Sequence, residues 1–224
     1  MKTLLTGAGG LVGSTIKADL RIMGRKASLP GYKERGRRWV DLTNWRATYN
    51  LFMETRPTHV IHTAARVGGL GANMEYMSDF FTQNIAINLN VLEAARRAGV
   101  EKVVSFLSTC IFPDDVEYPL CEHMLHAGEP HASNFGYSYA KRMVDVLSRA
   151  YRQQYGCNFI TAIPNNLYGE NDNFDLENSH VIPAIIRKVW EAKVDNSPSI
   201  ECWGNGSPLR EFTYSQDIAH ILLF

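Results

Sequence analysis

The sequence lacks the segments that mark membrane, secreted and nucleic-acid-binding proteins. Among its 224 residues no apolar run approaches the length of a membrane-spanning helix, which is about 20 residues. The N-terminal stretch is too short and too rich in glycine for a signal peptide, so we expect a cytoplasmic protein with no membrane partner. Basic and acidic residues number 23 each, and this zero formal net charge provides no overall field for nucleic acid.

Several sets of ligating and nucleophilic residues are also missing. The four cysteines (Cys110, Cys121, Cys157 and Cys202) lie far apart without a CxxC pair, so we expect free thiols. There is no HExxH motif and no carboxylate cluster with ligand spacing, so no metal site is predicted. The sequence contains neither a GKS/T phosphate-binding loop nor a GxSxG nucleophile elbow, which argues against nucleoside triphosphatases and serine hydrolases.

What the sequence does contain is an alternation of short apolar strands and helices. Strands are predicted at 2–6, 26–30, 58–63, 102–107, 158–163 and 199–203, and helices at 11–22, 43–55, 78–98, 137–155 and 180–192. This rhythm predicts an α/β fold, a Rossmann-like doubly wound parallel sheet that binds ligands at the carboxyl ends of its strands.

The organisation changes after Pro164, where a polar and aromatic stretch replaces the strand–helix rhythm. We expect residues 1–164 to form a dinucleotide-binding domain. Residues 165–224 should form part of a smaller C-terminal substrate-binding domain, with some segments returning to the Rossmann sheet. A helix that begins at Ser215 shows an apolar face for only about two turns, which suggests a truncated chain.

Three glycines (Gly7, Gly10 and Gly13) lie between the first strand and the first helix as GxxGxxG. Such a turn lets the backbone approach a pyrophosphate at a helix N-terminus, although a tight packing turn has the same pattern. No acidic residue marks the end of the second strand, and Lys33–Arg38 is basic instead, which favours NADP over NAD. Asp41 has two interpretations, adenine binding or capping of the next helix.

Tyr137 and Lys141 are four residues apart on one helical face, where a lysine charge favours a phenolate. Ser108 and Cys110 follow a buried strand, and in an extended segment their side chains would face one crevice. The hydroxyl would bind a substrate oxygen, and the thiol would serve as a base or merely as a small apolar group. His180 lies at the start of a predicted helix, where it would serve as a general acid or be merely a surface histidine.

Together these motifs resemble the extended short-chain dehydrogenase/reductase family, and within it the enzymes that modify GDP-linked keto sugars. The shared blocks are TGAGGLVG at 6–13, VIHTAA at 60–65, STCIFP at 108–113, GYSYAK at 136–141, NLYG at 166–169, SHVIPAIIRK at 179–188 and WGNGSPLREF at 203–212. The resemblance implies a homodimer that carries out NADPH-dependent 3,5-epimerisation and 4-reduction of GDP-4-keto-6-deoxy-D-mannose.

The resemblance also implies a set of site residues. The candidate catalytic residues are Ser108 for the ketone oxygen, Cys110 as base, Tyr137 and Lys141 for reduction, and His180 as acid. NADP(H) would contact Gly7, Gly10, Leu11, Val12, Gly13, Asp41, Ala64, Ala65, Lys141, Pro164, Asn165, Asn166, Leu167 and His180. The GDP-sugar would contact Arg187, Lys188, Trp203 and Arg210, each of which also fits a structural or surface role.

Three alternatives stay open at this point. An NAD-dependent nucleotide-sugar 4-epimerase would not need the Cys110–His180 pair. A 4,6-dehydratase would be expected to carry an acidic pair beside Ser108, where Thr109 and Cys110 stand instead. A non-catalytic NADP-binding regulator should have lost the Tyr137–Lys141 pair.

Overall fold

The computed structural model describes residues 1–29 and 40–223 as a five-stranded sheet covered by helices, with a second, two-stranded sheet. The strands of the large sheet are β1 (Thr3–Thr6), β2 (Ala27–Ser28), β3 (His59–His62), β4 (Lys102–Phe106) and β5 (Phe159–Ala162). All their pairings are parallel, in the order β2-β1-β3-β4-β5. The α/β doubly wound prediction is therefore confirmed.

Seven α-helices connect these strands. They are α1 (Leu11–Ile22), α2 (Trp45–Thr55), α3 (Leu70–Glu75), α4 (Met77–Arg97), α5 (Phe135–Tyr155), α6 (Val181–Val194) and α7 (Ser215–Leu223). Both long helices end as glycine-capped helices do: Gly99 (φ +67°) and Gly156 (φ +66°) adopt the left-handed conformation that glycine accepts without steric cost. None of the described helices is long and apolar enough to span a bilayer.

The apolar core is split by the sheet into two layers. On one face α2, α4 and α5 cover Leu4, Val60 and Val103, with Phe52 and Phe159 among the fully buried side chains. On the other face α1 and α7 enclose a second cluster around Leu5, Ile16 and Ala219. The strands are buried on both faces, which explains why they read as continuous apolar runs.

The chain order reverses between β1 and β3, because β2 lies on one side of β1 and β3 on the other. Ligands of open parallel sheets bind at such a switch point, outside the carboxyl ends of the strands. The residues at that edge here are the turn after Thr6, the segment after His62 and the segment after Phe106.

The region after β5 differs from the sequence prediction. Residues 199–203 form no strand; the second sheet instead pairs β6 (Asn166–Tyr168) with β7 (Phe212–Tyr214) in parallel. Each of these strands has only three residues, too few for period-two alternation to be visible. After β7 the chain enters α7, which packs against α1 of the Rossmann sheet.

Smaller differences concern helix starts. Helix α3 lies at Leu70–Glu75, where no element was predicted, and α4 begins at Met77, one residue before its predicted start. Helix α5 begins at Phe135, two residues before its predicted start. Gly136 permits this start, since a Cβ there would lie 2.3 Å from the Met77 carbonyl oxygen.

Candidate active site

The turn after β1 is built so that only glycine fits at its two ends. Gly7 has φ +73°, and a Cβ there would lie 2.6 Å from the Ala64 nitrogen. A Cβ on Gly13 would lie 2.1 Å from the Gly7 carbonyl oxygen, whereas a Cβ on Gly10 would meet nothing closer than 3.6 Å. The outer glycines therefore allow the turn to pack against β3 and α1, and Gly10 faces open space.

The N-terminus of α1 has the properties of an anion site. Gly10 is its N-cap, no side chain caps the helix, and no acidic residue lies in the first turn. Unpaired N–H groups at a helix N-terminus attract phosphate. Leu11 and Val12, which the resemblance assigned to cofactor binding, supply backbone N–H groups in this turn and stay partly exposed.

The remaining predicted cofactor residues lie at the same sheet edge or beyond it. Ala64 and Ala65 follow β3, and the Ala64 N–H points at the Thr6 hydroxyl at 3.4 Å. Asp41 accepts hydrogen bonds from the Thr43 backbone and hydroxyl (2.9 and 2.7 Å), so it closes a turn, while Asn44 caps α2. The basic stretch Lys33–Arg38 lies outside the described residues.

The segment after β5 adds an unsatisfied polar group. Pro164, Asn165, Asn166 and Leu167 follow the strand, and the buried Asn165 Oδ1 has no hydrogen-bond donor within 1–29 and 40–223. Buried polar atoms are normally paired, so this acceptor indicates a missing donor. Asn166 is already engaged, since its Nδ2 donates to the Glu211 carbonyl at 3.0 Å.

Ser108, Cys110, Tyr137 and Lys141 form one cluster between the end of β4 and the first turns of α5. Thr109–Ile111 is a 3-10 turn, so the expectation that Ser108 and Cys110 share an extended segment is wrong. The turn nevertheless brings their side chains together: the Ser108 and Ser138 hydroxyls lie close enough to the thiol to lower its pKa, and Ser138 donates its hydrogen bond to the Cys110 carbonyl. The Cys110 charge also influences both Tyr137 and Lys141.

Lys141 is almost fully buried, with 3% of its surface exposed. Its Nζ donates to the Phe106 carbonyl at 2.8 Å and lies 5.8 Å from the centre of the Tyr137 ring. Burial lowers the pKa of Lys141 to about 8, with the Cys110 charge opposing that shift. A buried ammonium bound only to a carbonyl is a poorly compensated charge.

The pKa of Tyr137 is raised rather than lowered, contrary to the expectation from Lys141. Burial is the main cause, and the Cys110 charge adds to it. The ammonium does not offset these effects, because it is directed at the Phe106 carbonyl. Phe80 packs edge-on against the phenol ring at 6.4 Å, so an apolar wall faces the hydroxyl-bearing ring.

Cys110 carries a half-buried thiol whose pKa is subject to opposing influences. Burial raises its pKa, while the hydroxyls of Ser108 and Ser138 and the charge of Lys141 lower it. Burial outweighs the others, so the thiol form is favoured in the protein described here. Anything that adds negative-charge stabilisation near this sulfur would move it toward the thiolate.

His180 is the N-cap residue of α6. Its Nδ1 is 3.6 Å from Oδ1 of Asp172, a carboxylate whose side chain is only 5% exposed. The preceding loop is held by a hydrogen bond from the Gly69 N–H to the Asn178 carbonyl at 3.2 Å. In the described part of the chain, no hydrogen bond or ion pair joins His180 directly to Cys110 or Tyr137.

A cavity of about 260 Å³ opens beside His180. Asp172, whose carboxylate lies 3.6 Å from the histidine ring, is one of the residues that line this cavity. The remaining lining is mostly apolar and aromatic and comes from β6, the segment that follows it, α6 and β7 (Tyr168, Gly169, Glu170, Phe174, Ile182, Pro183, Ile186 and Tyr214).

The residues predicted to hold the substrate do not form one cluster. Arg187 donates to Glu191 (2.7 Å) and to the Phe174 carbonyl (2.9 Å). Lys188 donates to the Glu201 carbonyl at 2.8 Å, and its Nζ lies 5.7 Å from the centre of the Trp203 ring. Trp203 is 81% exposed, and Arg210 is exposed too, with a bond to the adjacent Leu209 carbonyl.

Several site residues were missed by the sequence analysis. Buried His62 contacts the Thr6 hydroxyl (2.7 Å) and the Asn88 side chain (3.1 Å), and Asn88 reaches the Ala140 carbonyl at 3.5 Å. This chain of contacts joins the glycine turn to the helix of Tyr137 and Lys141. Ser138, Arg142 and Asp172 were also missed; only the proximity of Ser138 and Arg142 to the YxxxK pair offered a signal.

The sequence of residues 3–224 matches the NAD dependent epimerase/dehydratase family. The chain belongs to that family. A solved relative, a GDP-L-fucose synthetase from Naegleria fowleri bound to NADP, is 40% identical, with a TM-score of 0.88 over 99% of this chain and 71% of that one.

Curated relatives agree in their names. The GDP-L-fucose synthase of Dictyostelium discoideum is 47% identical over 96% of this chain and 67% of its own length. The probable GDP-L-fucose synthase of Drosophila melanogaster is 45% identical over the whole chain and 71% of its own length. A UDP-glucose 4-epimerase from Thermus thermophilus, with NAD, is more distant at 26% identity and a TM-score of 0.79.

Proposed function

We propose that this chain has the activity of a GDP-L-fucose synthase, which epimerises GDP-4-keto-6-deoxy-D-mannose at C3 and C5 and reduces it at C4. The observation that carries the proposal is the thiol of Cys110 inside the cluster of Ser108, Tyr137 and Lys141. Reduction alone needs the hydroxyl, phenol and ammonium. A thiol beside them supplies the base that proton abstraction next to a ketone requires.

NADP(H) is the cofactor that the glycine turn fits. The uncapped N-terminus of α1 and the open space over Gly10 suit a pyrophosphate, and the unsatisfied Asn165 Oδ1 awaits a donor such as an amide. When bound, NADPH supplies the hydride that reduces C4. The name of the Naegleria relative, which binds NADP, supports this choice.

Epimerisation comes first, because the C4 ketone acidifies the hydrogens on C3 and C5. Cys110 as a thiolate removes one proton, the resulting thiol passes that proton to solvent, and the step is repeated at the second carbon; each time the negative charge moves to the C4 oxygen. Ser108 and Lys141 lie beside the thiol and stabilise that charge. His180 returns a proton to the opposite face, and Asp172, whose Oδ1 lies 3.6 Å from Nδ1 of the ring, orients the imidazole.

Reduction then removes the ketone. Tyr137 donates its phenolic proton to the C4 oxygen as that oxygen becomes an alkoxide, and Ser108 holds the same oxygen by a hydrogen bond. The buried phenol with its raised pKa is protonated at neutral pH, which is the form a proton donor needs. Lys141 adds positive charge next to the phenolate that remains.

The GDP-sugar is held by residues of the terminal third. Arg187 suits a diphosphate because its guanidinium binds oxygens in a bidentate manner. Lys188 and Trp203, which already contact one another, form a second binding element, and Arg210 a third. Residues 165–224 thus act as the described part of the substrate-binding domain, with α7 returning to the Rossmann layer.

The enzyme acts as a homodimer in the cytoplasm. Helices α4 and α5 lie side by side and leave apolar side chains exposed at 37% to 48%: Phe81, Leu89, Phe135, Met143 and Val146. Two copies of this face would bury it. A double substitution of Leu89 and Val146 by glutamate should convert the dimer to a monomer in light scattering after size exclusion. A reducing compartment keeps Cys110 as the free thiol that the reaction requires.

The direct test incubates the full-length protein with NADPH and GDP-4-keto-6-deoxy-D-mannose. Absorbance at 340 nm should fall, and the product should be GDP-L-fucose by chromatography and NMR. A product reduced at C4 without inversion at C3 and C5 would contradict the epimerase half. The absence of NADPH oxidation with this substrate would contradict the whole proposal.

A further inference from the structure

Helix α5 carries two neighbouring pairs of polar residues at i,i+4 spacing. The first pair, Tyr137 and Lys141, belongs to the reduction chemistry proposed above. The second pair, Ser138 and Arg142, is shifted by one residue and lies about 100° around the helix. Its side chains point at the turn that carries Cys110, so one helix contacts both halves of the site.

Ser138 holds the backbone of Cys110 itself. Its fully buried hydroxyl donates to the Cys110 carbonyl at 2.9 Å and also lowers the pKa of the thiol. A serine buried on α5 does not need a hydrogen bond to a backbone carbonyl merely because it is buried. Ser148, on the same helix and equally buried, has no partner for its hydroxyl within the described ranges.

Arg142 holds the residue that follows Cys110 and a second loop segment at Gly128. It is only 3% exposed; its Nε donates to the Ile111 carbonyl at 2.5 Å and its Nη1 to the Gly128 carbonyl at 2.7 Å. No carboxylate pairs with this guanidinium in the part of the chain that the structure describes, and its Nη2 has no partner there. A buried cation without a counter-ion is costly, and an apolar side chain would fill the same volume more favourably.

We propose that Ser138 and Arg142 are positioning residues for the Cys110 base: they fix its turn to α5, so that thiol, phenol and ammonium keep one geometry. The proposal rests on the role of Cys110 proposed above. The planar guanidinium of Arg142, with its donors held in a fixed fork, suits this task, because Nε and Nη1 bridge the carbonyls of two different loop segments. Lys141, rather than Arg142, is the cation that chiefly supports the thiolate, so Arg142 acts mainly through placement.

The first experiment separates proton abstraction from hydride transfer. Wild type and the variants Ser138→Ala and Arg142→Met are incubated with substrate and NADP⁺ in D₂O, and deuterium at C3 and C5 is followed by NMR. Since small misplacements of a reacting group cost up to about a hundredfold in rate, we expect exchange to fall at least about tenfold. NADPH oxidation should fall by less than about threefold, with part of the product reduced but not inverted.

Matched controls come from the same helix. Ser148→Ala removes an equally buried hydroxyl, and Arg149→Met removes an exposed guanidinium that pairs with Asp145. Both should behave as wild type in exchange and oxidation. Arg142→Lys keeps the charge but not the fork, so it should recover less than half of the lost exchange rate. Full recovery by lysine, or equal losses of exchange and oxidation, would overturn the positioning role.

The second experiment measures the reactivity of the Cys110 thiol in the absence of catalysis. Iodoacetamide alkylation of Cys110 is measured from pH 6 to 10 by peptide mass spectrometry, with the exposed Cys202 as internal reference. Ser138→Ala should shift the Cys110 profile to higher pH and leave the Cys202 profile unchanged. A profile identical to that of Ser148→Ala would refute the proposal. If Cys110→Ser still epimerised normally, the proposed base would be wrong, whatever the alkylation showed.

Discussion

The closest contact in the glycine turn gives the sharpest test of the fold at the site. In Gly13→Ala the new Cβ would lie 2.1 Å from the Gly7 carbonyl oxygen, 2.7 Å from its carbon and 2.9 Å from the Ala8 Cα. All three atoms are backbone, so α1 must move away from the turn by about 1 Å. Overpacking of this kind costs about 3 kcal/mol, and for a chain of this size that corresponds to a fall in Tm of roughly 6 to 12 °C.

Gly10→Ala is the matched control, because its Cβ would meet nothing closer than 3.6 Å. We expect its Tm to stay within about 2 °C of wild type, while NADPH affinity falls because the methyl group occupies the space proposed for the pyrophosphate. Differential scanning fluorimetry gives Tm, and NADPH fluorescence gives Kd. An unchanged Tm for Gly13→Ala, or an unchanged Kd for Gly10→Ala, would refute this view of the turn.

Three further predictions concern the buried polar residues. Cys110→Ser should lower deuterium exchange at C3 and C5 at least about a hundredfold while NADPH is still oxidised, which product NMR checks. Lys141→Met should abolish NADPH oxidation yet raise the unfolding free energy by about 1 to 2 kcal/mol at pH 7, since burial lowers the pKa of Lys141 to about 8. The cost of burying the wild-type ammonium is full below pH 8 and fades as the pH rises toward 10.5. The stability advantage of the variant should therefore shrink over that pH range. Burial lowers the pKa of His62 to about 3, so the stability that its neutral form allows is complete above pH 6.5 and is lost as the pH falls toward 3. In His62→Gln the unfolding free energy from urea titrations should fall less steeply over this pH range, by up to about 1.4 kcal/mol per pH unit.

The elements that the sequence predicted well are those whose pattern is local. Helix α1 occupies Leu11–Ile22, as its apolar spacing and the preceding glycines indicate, and the interior strands occupy the continuous apolar runs. The glycine turn, the 137/141 pair and the thiol at Cys110 are likewise recognisable from short motifs. Each of these signals depends on neighbours within a few residues, which a single sequence displays.

What could not be predicted depends on contacts between distant segments. The strand expected at 199–203 is absent, because the partner of β6 is the short β7 at Phe212–Tyr214, which pairs with it across 46 residues of sequence (Asn166 with Phe212). The 3-10 turn at Thr109–Ile111 is held by Ser138 and Arg142 from another element. A serine and an arginine on a helix have no periodic signature of such a role, so only the three-dimensional arrangement reveals it.

The distribution of charge explains why a chain with no net charge suits an anionic intermediate. Lys141 and Arg142 are both buried and bind backbone carbonyls, and neither pairs with a carboxylate among the residues that the structure describes. Lys141 beside Cys110 creates a local positive region that bulk charge counting misses, while Arg142 fixes the turn. The burial of Lys141 is a cost in the free protein, and that cost diminishes when the negative charge of the reaction passes to the C4 oxygen. Interactions that strengthen only as charge develops accelerate a reaction, so the same feature that lowers stability is what favours the chemistry.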